Sequence, residues 1–183
     1  MKALFPALLL AVGLAAGQPA RPVAARTEVS QAPVQPQGAV SRTAMHEVER
    51  KIDVRLSADP TDLMGNTRGI YLPGFGVILT SEVALVKLAG PSPFHQNITQ
   101  DERTKAHARK LEALPKLREL IKAAMISAAA DLRSLPLNEK LVFGVNLFYW
   151  NWEDTSGLPS QIVMQATRQQ LVTHLENIQV QEF

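Results

Sequence analysis

The sequence predicts an α+β fold, a two-layer domain with helices on one face of an antiparallel sheet of about four strands. Apolar residues alternate in several short segments that turns connect, which is typical of half-buried strands. In other segments apolar residues recur every three or four positions, which is typical of amphipathic helices. The expected order is ββαββα, with an N-terminal helix before it and a long central helix, all within a single domain at 43–183.

The first 42 residues are expected to lie outside this domain. They begin with the three parts of a secretory signal, namely a positive charge at Lys2, an apolar run over 3–14 and small residues at 15–17. The apolar run is shorter than the roughly 20 residues that span a bilayer. We therefore predict a signal peptide at 1–17, which is removed on export, and a disordered Pro/Gln/Ala-rich tether at 18–42.

The composition narrows the classes of function. The chain has no cysteine, which excludes disulfide bonds, thiolate metal sites and a catalytic cysteine. Its formal net charge of +2 is too small to indicate a nucleic-acid-binding protein. No apolar run after the signal reaches membrane-spanning length. We expect an exported protein of the periplasm or the extracellular space, and a bacterial rather than a eukaryotic route.

The first elements of the domain follow from local patterns. Apolar residues three and four apart predict a helix at 43–56, although alternating apolar residues there also allow a strand. Pro60 ends this element. Two strands are predicted within 69–88, on either side of the turn sequence Pro73-Gly74-Phe75-Gly76.

A long helix is predicted at 99–135. It begins with a capping box, in which Thr99 and Glu102 satisfy free amides at the helix start. Its apolar stripe keeps its phase across Pro115, which predicts one helix bent there or two abutting helices. The stripe consists of Leu111, Leu114, Leu117, Ile121, Met125, Ala128, Leu132 and Leu135.

The last third of the domain is predicted to contain a second strand pair and a helix. Alternating apolar residues predict a strand at 140–152 and a return strand at 161–166. A second capping box at Thr167 and Gln170 predicts a helix to about residue 178. The tail that follows either pairs with the sheet or frays.

The sequence predicts no catalytic site, no metal site and no cofactor. The segment His46-Glu47-Val48-Glu49-Arg50 lacks the second histidine of a helical zinc-protease motif. Asp154-Thr155-Ser156-Gly157 has one residue more than the aspartic-protease triplet, and Gly74-Phe75-Gly76 is only a fragment of a dinucleotide-binding loop.

The candidate binding residues are Phe148, Trp150, Trp152 and His95. The three aromatic residues would share the sheet face that the helices leave open, and large exposed aromatic patches mark binding surfaces. In the alternative, the helix at 43–56 covers this face and the aromatic residues form a second core. A basic bias of the long helix is a second candidate surface, for an anionic polymer.

These observations favour an exported, non-enzymatic binding or assembly domain of the cell envelope. Its partner would be another envelope protein or a glycan, and its oligomeric state is open. The alternative is a small envelope hydrolase whose acid and base come from separate segments. The candidates for those roles are Glu82, His95, Glu153 and Asp154. A third hypothesis is self-association through the long helix.

Overall fold

The computed structural model describes residues 40–87, 98–173 and 177–183. These residues belong to one unit, Gln35–Phe183. Its elements in chain order are α1 (Arg42–Leu56), β1 (Asp62–Leu72), β2 (Gly76–Ala84), α2 (Gln100–Asp131), β3 (Lys140–Leu147), β4 (Gln161–Thr167), α3 (Arg168–Val172) and β5 (Gln179–Glu182).

The strands form one mixed sheet in the order β1-β2-β3-β4-β5. The pairs β1–β2, β3–β4 and β4–β5 are antiparallel, whereas β2 and β3 are parallel. A parallel pair needs a long crossover connection, and the segment containing α2 provides it. The α+β class is confirmed. The four-stranded antiparallel sheet is wrong, because the central pair is parallel and the tail residues Gln179–Glu182 add a fifth strand.

The helices lie on one face of the sheet. Leu79 of β2 and Phe143 of β3 are buried in one core with apolar residues of α1, α2 and α3. A β-carbon on Gly69 would contact the side chains of both Met45 and Leu79, so α1 packs on the side of the sheet that Leu79 faces. The alternative in which α1 covers the opposite face is therefore wrong.

The opposite face of the sheet is more exposed to solvent. Ile70 and Leu72 of β1 point to it and are 55% and 41% exposed. In the middle of β2 and in β3 the residues that alternate with the core positions are likewise half-buried or exposed, for example Thr80 and Asn146. The domain thus has the two layers that the sequence predicts.

The helix α1 also occupies the free edge of β1. The backbone N–H of Thr67 donates to Asp53 Oδ1, and that of Gly69 donates to Glu49 Oε1, each at 2.7 Å. Unpaired amides on an edge strand otherwise recruit strands of other chains. These two carboxylates fix α1 against β1 and protect the edge at both positions.

The helix α2 is a single helix that includes Pro115. Its predicted capping box is present: Thr99 Oγ1 accepts from the backbone of Glu102 at 3.3 Å, and Glu102 Oε2 accepts from that of Thr99 at 2.8 Å. The predicted apolar stripe of α2 is wrong at one position, which is exposed rather than buried. Leu111 is 42% exposed, and Lys110 takes the buried place.

Three predicted elements are shorter in the structure. The long helix, predicted to extend to residue 135, ends at Asp131. The strand β3 ends at Leu147 rather than at residue 152. The helix α3 has the predicted capping box, since Thr167 Oγ1 accepts from the backbone of Gln170, but it ends at Val172.

Candidate functional site

The aromatic segment, residues 148–153, follows β3 but is not part of it. The backbone N–H of Phe148 donates to Val83 O at 2.9 Å, and that of Glu153 donates to Trp150 O at 3.1 Å in a turn. The strict alternation of a strand therefore no longer applies to these side chains. The aromatic segment instead turns toward α2, which it contacts through Glu153.

Phe148 and Trp150 form the aromatic wall of a small cavity, which we call the loop cavity. Their rings meet edge to face, with centroids 5.1 Å apart and an angle of 84° between the planes. The loop cavity has a volume of about 90 Å³. Besides the two rings, its lining includes Met64 and three charged residues, Asp62, Lys110 and Glu153. This volume corresponds to about three water molecules, so the loop cavity accommodates one small chemical group.

The polar part of the loop cavity contains a buried ion pair. Lys110 Nζ on α2 donates to Glu153 Oε2, and both side chains are only 2% exposed. The same Nζ lies 4.7 Å from the centroid of the Tyr149 ring. Burial lowers the pKa of Lys110, because desolvation outweighs the stabilisation of the ammonium by Glu153. The ion pair therefore attaches the aromatic segment to α2 at a substantial desolvation cost.

Two buried polar atoms of the aromatic segment lack a hydrogen-bond partner within the described part of the chain. They are Glu153 Oε1 and Trp152 Nε1. Such an atom typically costs about 1–3 kcal/mol. Because Glu153 lines the loop cavity, its Oε1 can accept a hydrogen bond from a group that enters there.

Tyr149 anchors the aromatic segment to the next loop. Its hydroxyl donates to Pro159 O at 2.7 Å. Burial, and then the negative charge of Glu153, raises the pKa of Tyr149 to about 12. The phenol therefore stays neutral in the folded protein at a pH where an exposed tyrosine ionises.

We expect alkaline pH to destabilise the protein through Tyr149. The folded state keeps this proton up to about pH 12, whereas the unfolded chain releases it at about pH 10, the usual pKa of tyrosine. The free energy of unfolding should therefore fall as pH rises through this interval, by roughly 1 kcal/mol for a half-buried side chain. The chain has two tyrosines, so phenolate absorbance of Tyr71→Phe reports on Tyr149 alone.

If phenolate absorbance of folded Tyr71→Phe gives a titration midpoint near the pKa of free tyrosine, this expectation is contradicted. The same titration in urea supplies the unfolded reference. Tyr149→Phe is the matched variant, because it removes the ionising group and should lose this part of the alkaline destabilisation.

The described candidates for acid and base do not converge in one cleft. Glu82 is exposed on β2, between buried residues that face the helices. Glu153 is held in the ion pair. Asp154 accepts from the backbone of Ser156 at 2.9 Å, and this serine holds the pKa of Asp154 below its usual value. His95, predicted both as a binding residue and as a hydrolase candidate, lies outside the described residues.

Part of the basic bias of α2 is neutralised by neighbouring carboxylates. Lys110 is buried against Glu153. Three further cations pair with carboxylates: Lys105 with Asp101, Arg118 with Glu182 and Lys122 with Glu119. The described contacts therefore give this helix less free positive charge than its sequence indicates.

Two charged residues of the loop cavity, Lys110 and Asp62, are absent from the predicted site. A signal for Lys110 was present, because Ala106, Ala113 and Leu117 lie four, three and seven positions away and share its helix face. All three are buried. No comparable signal exists for Asp62, which reaches the loop cavity only through the pairing of β1 with β2.

Comparison of the chain with protein-family models, curated proteins and solved structures finds no match. Within 40–87, 98–173 and 177–183, no group of three or more acidic or histidine side chains is arranged to hold a metal ion. Over the same ranges, no helix combines the length and the apolar character needed to cross a membrane.

Proposed function

We propose that this chain is an exported, non-enzymatic binding or assembly domain of the cell envelope. Its contact surface would be the aromatic segment, and export would depend on the signal pattern at 1–17. One observation carries the binding role: the loop cavity joins an aromatic wall to a buried carboxylate oxygen, Glu153 Oε1, that has no partner in the described chain.

The lining of the loop cavity favours a basic group of a partner protein. Asp62 and Glu153 carry two negative charges against the one positive charge of Lys110. The faces of Trp150 and Phe148 attract cations, as aromatic rings generally do. The small volume fits the end of one arginine or lysine side chain better than a sugar ring.

A fluorescence titration tests this preference. The chain has two tryptophans, so Trp152→Phe leaves Trp150 as the reporter at the loop cavity. We expect saturable changes in Trp150 emission with arginine or lysine methyl ester, and weaker binding after Asp62→Asn in the same background. Glu112→Gln removes an exposed carboxylate of α2 and is the matched control. A response to soluble peptidoglycan fragments alone would support the glycan partner instead.

Photocrosslinking in the producing cells tests the proposal for a partner. We expect p-benzoylphenylalanine in place of Trp150 to give a discrete adduct, and the same group in place of the exposed Leu111 to give none. Mass spectrometry of the fractions should find the mature chain, without residues 1–17, outside the cytosol. No adduct at position 150, or an intact chain confined to the cytosol, would contradict the proposal.

A further inference from the structure

A second and larger concavity lies between the start of α1 and the edge of β1, and we call it the edge groove. Its volume is about 370 Å³, within the usual range of roughly 300–1,000 Å³ for small-molecule sites. Basic residues line one part of it, namely Arg42, His46 and Arg68, and the less polar part includes Met45, Ile70 and Tyr71.

The acidic residue of the edge groove, Glu49, is held by two donors. Its Oε1 accepts from the backbone of Gly69 at 2.7 Å, and its Oε2 lies 2.9 Å from His46 Nδ1. Arg42 Nε donates to His46 Nε2 at 3.4 Å. Because arginine can only donate, Nε2 is the acceptor and His46 Nδ1 carries the proton that binds Glu49. Glu49 thus orients the imidazole, and among the described contacts each of its oxygens is engaged by a donor other than an arginine.

The two arginines of the edge groove have no carboxylate partner within the described residues. Arg42 donates only to His46 among the described contacts, and the side chain of Arg68 makes no ion pair there. Both residues are exposed. The guanidinium group binds carboxylate and phosphate through two parallel hydrogen bonds, and two such groups at one groove favour an oxyanion.

The apolar part of the edge groove adds a second requirement for the ligand. Ile70, whose side chain points to the open face of the sheet, borders the edge groove and is 55% exposed. The half-buried Tyr71 lines the edge groove as well. We propose that the edge groove binds a small organic anion, whose phosphate or carboxylate group contacts Arg42 and Arg68 and whose apolar body packs on Ile70. This site is separate from the loop cavity, so it extends the proposed function without depending on it.

Calorimetric titration of the full mature chain with phenyl phosphate and with benzoate tests this proposal. We expect saturable binding of at least one of these probes, and an affinity at least about tenfold lower in Arg42→Gln/Arg68→Gln, because charge-assisted hydrogen bonds are lost. Arg103→Gln/Arg133→Gln is the matched control. It removes the same charge from exposed positions outside the edge groove and should change the affinity less than about twofold.

A second variant separates loss of binding from loss of folding. Ile70→Glu places a carboxylate at an exposed position of the edge groove, where the fold should tolerate it. We expect it to abolish probe binding with little change in the melting temperature. No saturable binding to the wild-type chain, or equal weakening by the groove and control double variants, would overturn the proposal. Stronger binding of phenyl phosphate than of benzoate would identify phosphate as the preferred headgroup.

Discussion

Replacement of Gly76 by alanine is expected to remove a large part of the stability of the domain. Gly76 has a φ of +133°, a conformation that residues with a β-carbon rarely adopt. An added β-carbon would lie 2.6 Å from Lys140 N and 2.7 Å from Lys140 C, and closer still to its carbonyl oxygen. These atoms belong to the backbone of β3, and Gly76 and Lys140 are the first pair of the parallel register. Relief of the clash therefore requires the strands to separate at this point.

Gly74→Ala is the matched control for this prediction. Gly74 lies in the same turn with a φ of +81°, but no atom lies within 4 Å of its hypothetical β-carbon. Its substitution should therefore cost only the backbone strain, about 1–2 kcal/mol. Gly76→Ala adds the clash with β3 and should cost more than about 3 kcal/mol, a large part of a typical domain stability.

Urea denaturation followed by circular dichroism measures both variants. We expect Gly74→Ala to unfold at a slightly lower urea concentration than the wild type, with the same slope. Gly76→Ala should unfold at a much lower urea concentration than Gly74→Ala. Equal midpoints for the two variants would show that β3 does not restrict position 76.

The two helix starts that have a local capping signal are confirmed. Thr99 and Thr167 each begin a helix, because a capping box satisfies amides through residues only three positions apart. The parallel pairing of β2 and β3 has no such signal. It depends on where the chain returns to the sheet after α2, and that is decided by packing among distant segments.

The candidate site was predicted only in part for the same reason. The sequence indicates Phe148 and Trp150 because apolar alternation continues past Leu147. In the structure both residues line the loop cavity. They lie there because the chain turns after β3 and contacts α2, and not because they continue the strand. Lys110 was missed because a charged residue next to Leu111 is normally the exposed one of the two.

Lys110→Met is expected to destabilise the domain by about 3–5 kcal/mol, because it leaves the buried Glu153 without its counter-ion. This corresponds to a melting temperature lowered by roughly 10 °C. The control is Lys105→Met on the same helix. Lys105 pairs with Asp101, but these side chains are 74% and 77% exposed, so its loss should cost less than about 1 kcal/mol. Similar melting temperatures for the two variants would contradict the importance of burial.

Replacement of both partners should reverse this loss. Burial lowers the pKa of Lys110 more than the negative charge of Glu153 raises it. Desolvation therefore offsets much of the attraction within this ion pair. Lys110→Met/Glu153→Leu should therefore recover to within about 1 kcal/mol of the wild type. The double variant also lacks the Glu153 oxygen offered to a partner, so it should remain folded and lose binding of arginine methyl ester. A folded double variant that still binds this cation would assign Glu153 a structural role alone.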